Sequence, residues 1–370
     1  MRFDPSPAQR ALLAEIDELL DAAPAGASAR ELFALLGARR LLAVHYPERF
    51  GGRGLPPADQ AVVAEHLGVR GLPDEVHLVT VQGVGCTILA HGDEQQRERR
   101  LPPIAAGRAC ASLLLSEEQA GTDIAGIDTV ASATAGGYVL DGRKAWNLRA
   151  DWSSFGLCSA RTRAGAGRYD GISLFIVDFD SPGVRVEPVD RATGEPYFTV
   201  HLDGVRVDAA DRVGPEHEAW HLLVRAIGFE RAGFDYLSRA RRWLRAAERI
   251  VESRPPAERA ALRPALLQHE RAVATARALA YHAVGGGDGL EMDEAASAYS
   301  KLACGEAAQS LARWAGLELA GCADDPAFAE EAAMLRDACA EAPELSISGG
   351  AVELQLDLIA TEQRMSGSVR

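Results

Sequence analysis

Apolar positions along the chain change period twice. Up to about residue 112 they recur at helical spacing, as in SARELFALLGARR (28–40), DQAVVAEHLG (59–68) and DEQQRERRLPPIAAG (93–107). Ser28 and Glu31 stand at capping-box spacing, and Gly/Pro-rich punctuation such as PERFGGRGLPP (47–57) separates the runs. Between 113 and 212 the runs shorten and fill with branched and aromatic residues, as in GISLFIVDF (171–179) and PYFTVHLDGVRV (196–207). These predict strands, with Asp141-Gly142 and Asp203-Gly204 as hairpin turns. From Pro215 the helical period returns. Residues 217–253 hold no proline and predict one long helix, followed by helices over 257–285, 292–322, 326–339 and 351–364. The fold class expected is α+β. An N-terminal helical domain (1–112) and a middle antiparallel β-barrel or sandwich domain (113–212) precede a C-terminal helical bundle (213–370).

One position on the long predicted helix breaks its own pattern. Leu223, Ile227, Glu230, Phe234 and Leu237 are spaced 4-3-4-3, which puts all five on one stripe of a helix. Four are apolar and one is a carboxylate. If the stripe faces the interior, Glu230 loses water, its neutral form is favoured, and the group is poised to accept a proton near neutral pH. The competing reading is an ion pair with an arginine, since Arg231 adjoins it and Arg225 and Arg241 share the segment. Spacing does not separate the two.

Composition narrows the function classes. The 370 residues are 47% hydrophobic, enough for a large core, and the formal net charge is -14 with no dense Lys/Arg run. Nucleic acid is therefore not an expected partner, because that binding rests on clustered positive charge. RERR (97–100) and RARR (239–242) read as solvated helix faces. No apolar run nears the ~20 residues of a membrane span, and the N-terminal stretch carries acids early with no signal-peptide core, so a cytoplasmic protein is expected. The cysteines at 86, 110, 158, 304, 322 and 339 are dispersed and read as reduced, mostly buried thiols. His217 and His221 share a helix face, but no third ligand accompanies them as a catalytic zinc would need.

An ordered series of segments says more. LPPIAAGRACASLLLSEEQAGTDIAGIDTVA (101–131), GGYVLDGRKAWN (136–147) and VDRATGEPYFTVHLDGVRVDAADRVGPEHEAW (189–220) follow PERFGGRGLP and HGDEQ. Taken together they resemble the acyl-CoA dehydrogenase family over nearly the whole chain. The resemblance implies FAD, an acyl thioester substrate, a glutamate that removes the α-proton, and a flavin N5 that accepts the β-hydride. It also implies an electron-accepting flavoprotein as partner and a homodimer or homotetramer, with a heteromer as the alternative. LLLSEEQAGTD (113–123) matches the strand and loop along the cofactor, which assigns Leu114, Ser116, Gly121 and Thr122 to FAD. Ser116 stands where the family usually has a threonine, and its hydroxyl keeps that contact. Trp146 matches a tryptophan beside the flavin, although a strand tryptophan read alone belongs to the core.

Three departures accompany the match. Asn147-Leu148 replaces the family's common Ile-Thr, so Leu148 at the cofactor offers only its backbone. VESRPPAERAALRP (251–264) lacks the Arg-x-Phe-Gly segment that reaches a neighbouring subunit's cofactor. In ISGGAVELQLDLIATEQRM (347–365), Gly349 occupies the place of the glutamate base, and Glu353 falls one turn further on. Some members instead carry the base on the long helix in a phrase resembling FER, and Glu230 stands there. In that correspondence Phe229, Arg231, Gly349 and Gly350 border the substrate, with a structural role as the other reading of Arg231. Three functions stay open: a working dehydrogenase, a non-catalytic partner subunit of a heteromer, and a flavin-dependent monooxygenase on the same fold.

Overall fold

The computed structural model describes residues 4–165, 167–190, 196–226, 232–285, 293–319 and 325–367. Glu230, its neighbours Phe229 and Arg231, and Cys322 lie outside the described residues. The chain opens with helices α1 (Pro7–Asp21), α2 (Ala29–Ala38) and α3 (Pro57–Val69). Ser28 and Glu31 form the capping box that the sequence predicts, and Ser6–Gln9 and Asp93–Gln96 make two more. Residues Glu75–Gly85 wind as a π-helix, then α4 (Cys86–His91) and α5 (Glu94–Ala105) follow. Long π-helical runs are rare and gather at functional sites. This one is bolted to the first strand, where the Thr80 hydroxyl accepts from Ala111 N (2.9 Å) and lies 3.0 Å from Ala111 O.

The middle of the chain forms one eight-stranded sheet, β1 (Cys110–Leu114), β2 (Val130–Ala133), β3 (Gly137–Leu148), β4 (Ser153–Arg161), β5 (Ile172–Asp178), β6 (Val184–Pro188), β7 (Tyr197–Asp208) and β8 (Arg212–Val213). Its order is β6-β7-β3-β2-β4-β5-β8, with β1 beside β4. Most ladders are antiparallel, but β4 pairs in parallel with both β1 and β2, so the sheet is mixed. Its β5 strand is buried on both faces. Along β5, Leu174 and Ile176 enter a core shared with the N-terminal helices, while Phe175 and Val177 enter a second core within the β domain. That two-sided burial is why this strand reads as a continuous apolar run.

The Asp-Gly pairs are not hairpin turns. β3 and β7 each run through theirs, and the two sites lie close across the long β3–β7 ladder. A register shift falls between Leu140 and Gly142, Gly204 has φ +63°, and the Asp141 carboxylate accepts Gly204 N at 2.8 Å. A side chain that satisfies the backbone locally makes a bulge from what reads as a turn.

The predicted long helix is also divided. After α6 (Trp220–Ala226), a new helix α7 begins at Phe234 and runs to Ser253. Gly233 precedes it with φ +73°, a left-handed conformation, and Ser300 Oγ donates to Ala232 O at 2.6 Å. The 4-3-4-3 stripe therefore does not lie on one helix. Leu223 packs into the N-terminal core, while Phe234 and Leu237 pack into the bundle core. A β-carbon at position 233 would sit 3.2 Å from Cys304 Cβ and 3.3 Å from Lys301 Cα. Gly233→Ala should cost about 1–2 kcal/mol for the left-handed conformation alone. The check is the urea midpoint, which falls while the slope of the transition stays unchanged.

The bundle is completed by α8 (Pro256–Gly285), α9 (Glu294–Glu318), α10 (Ala329–Glu341) and α11 (Val352–Gly367). The two arginine runs are only partly solvated faces. Arg100 of α5 is buried against Asp178 of β5 at 2.6 Å, and Arg99 reaches Asp178 and Asp211. In α7, buried Arg239 meets Asp74 at 3.1 Å and Glu341 at 2.7 Å, while Arg241 meets Glu65 of α3 at 2.7 Å. Both runs tie helices to other parts of the fold, and isolated sequence pattern carries no sign of a partner that far away.

Candidate functional site

The site begins where β1 ends. Leu114 is fully buried in the β-domain core, so only its backbone is available to a ligand. Ser116, two residues on, is half-buried, and its carbonyl accepts Ala145 N of β3 at 2.9 Å. Gly121 and Thr122 are exposed, and a β-carbon on Gly121 would meet nothing within 4 Å. That stretch presents open backbone to a ligand.

Trp146 is not a core residue. It is 54% exposed and adopts φ +61°, a conformation that bulky side chains rarely take and that costs about 1–2 kcal/mol. The reason is a register shift in the β3–β7 ladder between Lys144 and Asn147. Tyr138, Leu140 and Lys144 point inward, and unbroken alternation would carry Trp146 inward with them. The bulge reverses the order, burying Asn147 and turning Trp146 out. Leu148 pairs with Tyr197 at the end of β3 and is half-buried.

Beneath this surface lies a buried ion pair that the sequence reading misses. Lys144 Nζ donates to Glu117 Oε1 at 2.8 Å and to Leu115 O at 3.2 Å. Glu117 also accepts Asp128 N at 2.7 Å, Thr129 N at 3.0 Å and the Thr129 hydroxyl at 2.6 Å. Burial pushes its carboxyl up, but the Lys144 ammonium and these donors prevail and bring it down to about 2. The folded value lies below the unfolded one. The stabilisation is therefore complete above the ordinary 4.5 and drains away as pH falls toward about 2. The slope of stability against pH in that window should flatten in Glu117→Gln, as urea titrations at a series of pH values would show.

The other residues that the sequence assigns to the substrate and that the structure describes lie in the C-terminal bundle. Gly349 and Gly350 have φ +60° and +99°. Buried Lys301 of α9 donates to Ser348 O and, at 2.6 Å, to Gly350 O, while Tyr236 OH donates to Ser348 O at 2.8 Å. Gln355 reaches Gly350 O at 3.3 Å. In a trans peptide the N–H points opposite to the C=O. Pulling the Ser348 carbonyl toward Lys301 thus turns the Gly349 N–H the other way, as a backbone donor.

Two further constellations look like sites and are not. His45 lies between Gln60 Oε1 (2.9 Å from Nδ1) and the Cys86 thiol (3.0 Å from Nε2). Gln60 Nε2 is spent on Leu42 O, so its oxygen faces His45 and Nδ1 carries the proton. Burial lowers the imidazole to about 4 and raises the thiol, so the trio is neutral and lacks a thiolate nucleophile. A cavity of about 150 Å³ is lined by Asp74, Arg149, Ser238, Arg239 and Arg242 among others. Arg149 is paired with Glu75, and Arg239 with Asp74 and Glu341, which leaves little uncompensated charge for an anion. His217 is engaged by the Thr162 hydroxyl at 2.8 Å, and the described residues include no cluster able to hold a metal. No helix among them is long and apolar enough to cross a membrane.

A helical N-terminal part, a mixed β sheet and a helical bundle around an exposed, bulge-mounted tryptophan define a class of protein. Models of the N-terminal, middle and C-terminal domains of acyl-CoA dehydrogenase match residues 8–108, 112–203 and 216–363 in that order. The chain belongs to the acyl-CoA dehydrogenase family. Among individual proteins, it is 32% identical over 224 residues to acyl-CoA dehydrogenase FadE26 of Mycobacterium tuberculosis, covering 58% of this chain and 56% of that protein. It is 27% identical over 297 residues to cyclohexane-1-carbonyl-CoA dehydrogenase of Geobacter metallireducens, covering 76% of each. The match spans little more than half the length of FadE26 and of other mycobacterial acyl-CoA dehydrogenases to which the chain is similar. In fold it is similar to the ChsE4-ChsE5 complex of Mycobacterium tuberculosis (TM-score 0.82, 24% identity, 97% of each chain). The same holds for butyryl-CoA dehydrogenase of Megasphaera elsdenii (TM-score 0.85, 20% identity, 98% of this chain and all of that one).

Proposed function

We propose that the chain is an FAD-dependent dehydrogenase of an acyl thioester, with Glu230 as the base. The observation that carries the reading is the exposed, left-handed Trp146 beside Ser116, in a chain that the family's three domains match in sequence order. An indole held outward at a strain cost is a flat apolar platform awaiting a flat partner. The nearby Gly121-Thr122 backbone is open enough for a phosphate, and the buried Oδ1 of Asn147 has no donor among the described residues. These features fit FAD. Trp146, Ser116 and Leu148 would meet its ring, with Gly121 and Thr122 at its phosphates. When bound, FAD supplies the acceptor for the two electrons and the hydrogen that leave the β-carbon.

The remaining work falls to the protein. Glu230 takes the α-proton on a carboxylate oxygen, and the thioester carbonyl makes that proton acidic enough to move. The Gly349 N–H, aimed away from Lys301, is suited to donate to the carbonyl oxygen as negative charge builds there. Gly349 itself has no side chain to act as base, which is consistent with a base at 230. Phe229, Arg231 and Gly350 border the acyl group in this reading, with CoA or a carrier protein on the sulfur. An electron-accepting flavoprotein reoxidises the cofactor, in a soluble cytoplasmic homodimer or homotetramer.

A second reading is a non-catalytic partner subunit. It is favoured by Gly349 and by Leu148, which offers the cofactor no side-chain hydrogen bond, and the ChsE4-ChsE5 complex shows two named chains assembling on this fold. The purified protein distinguishes the two. A yellow protein bleached anaerobically by an acyl thioester, with bleaching lost in Glu230→Gln, supports the first. A colourless one that gains flavin only when co-expressed with a related chain supports the second.

A further inference from the structure

Trp146 holds an unfavourable backbone conformation with its indole in solvent, so something must hold it there. The residues flanking it are the anchors. On one side, Lys144 is fully buried, and its ammonium reaches Glu117 Oε1, Leu115 O and Ser159 Oγ at 2.8, 3.2 and 3.3 Å. On the other, buried Asn147 spends both amide hydrogens, one on Lys144 O and one on Phe198 O, each at 3.0 Å. The first of these bonds closes the bulge on itself, from 147 back to 144. The second ties it to the neighbouring strand β7. Between them, Ala145 N donates to Ser116 O at 2.9 Å. An over-determined frame of this kind is what keeps a strained residue from relaxing.

We infer that Asn147 and the Glu117–Lys144 pair form a clamp whose task is to hold Trp146 left-handed and outward, making all three positioning residues for the flavin ring. The inference rests on the FAD reading above. Neither side of the clamp is needed to bury apolar surface. An apolar residue at 147 would leave no buried amide oxygen unpartnered, and apolar residues at both 144 and 117 would fill the interior without burying two charges. The polar residues are explained if what they secure is the geometry of the residue between them.

The test combines two readouts on the full-length chain. First, FAD is titrated into deflavinated protein. Asn147→Leu and Lys144→Met should each weaken binding by about tenfold, equal to about 1.4 kcal/mol. In a Trp146→Gly background, where the indole is gone and glycine relaxes the strain, the same substitutions should change the dissociation constant by less than about twofold. Equal losses in both backgrounds would show that the clamp residues act through general stability and would overturn the inference. Second, N-bromosuccinimide oxidation with peptide mass mapping reads the exposure of Trp146 without any flavin. Rapid modification in the parent and slow modification in Asn147→Leu are expected; equal rates would sink the clamp. A parent that binds no FAD defeats the cofactor reading itself, while the oxidation rates still report on whether the clamp exists.

Discussion

Glu230→Gln is expected to purify as yellow as the parent and to stay yellow when an acyl thioester is added without oxygen, with turnover down by about 10²–10⁴-fold. Glutamine preserves the size and most of the hydrogen bonding of glutamate but has no pKa in the usable range, so only proton acceptance is removed. Retained colour matters as much as lost bleaching, because it separates loss of the base from loss of the cofactor. The pH profile gives an independent check. The parent's rate should rise with pH as one group deprotonates, and that limb should vanish from any residual rate in the variant. Bleaching at the parent's rate would remove Glu230 from the mechanism, and no carboxylate at 349 stands ready to replace it.

The largest loss of stability is expected at Glu65. This residue of α3 is buried, and its carboxylate accepts Arg277 Nε at 2.7 Å, Arg277 Nη2 at 3.0 Å, Arg241 Nη1 at 2.7 Å and the Tyr281 hydroxyl at 2.6 Å. Burial pushes the carboxyl up, yet the two guanidiniums and the phenol more than offset it, and the group stays ionised. Tyr281 is pushed up in turn, first by burial and then by the adjacent charge. Removing one member of such a cluster strands the others. Glu65→Ala should cost about 3–5 kcal/mol, a large fraction of the ~5–15 kcal/mol that holds a typical domain folded. Glu65→Gln, which keeps an acceptor but not the charge, should cost less. Urea unfolding gives the comparison directly. A midpoint for Glu65→Ala within about 0.5 kcal/mol of the parent would mean that the arginines find water instead. Because α3 is joined here to α7 and α8, the damage should spread across the seam between the N-terminal helices and the bundle.

The order of helices, sheet and helices was legible because each part has its own apolar period, and the capping box at Ser28 marked a helix start to within a residue. LLLSEEQAGTD and GRKAW were legible as family phrases because they are local, and both lie within the middle-domain match. What escaped was every feature set by a distant partner. Asp141-Gly142 has the composition of a turn, and only the chain at 204 makes it a bulge. Residues 217–253 contain no proline, but Gly233 sits against α9, where glycine leaves room for Lys301 and Cys304. Trp146 obeys strand alternation on paper and violates it in the fold, because the register slips beside it. Lys144 could have been suspected from an ammonium placed at an inward position of an apolar strand. The hold of Lys301 on 348 and 350 could not be read, since there it meets carbonyls, and a carbonyl leaves no trace in a sequence.

The Gly349-Gly350 loop resists a side chain. Gly349→Glu would put a carboxylate into it. Here that side chain would have to accept φ +60°, against a backbone pinned by an ammonium and a phenol, at a cost of about 1–2 kcal/mol before any clash. Lys301 and Tyr236 thus make this loop a rigid carbonyl-anchored corner, one that tolerates glycine and resists any side chain, whatever chemistry that side chain would bring.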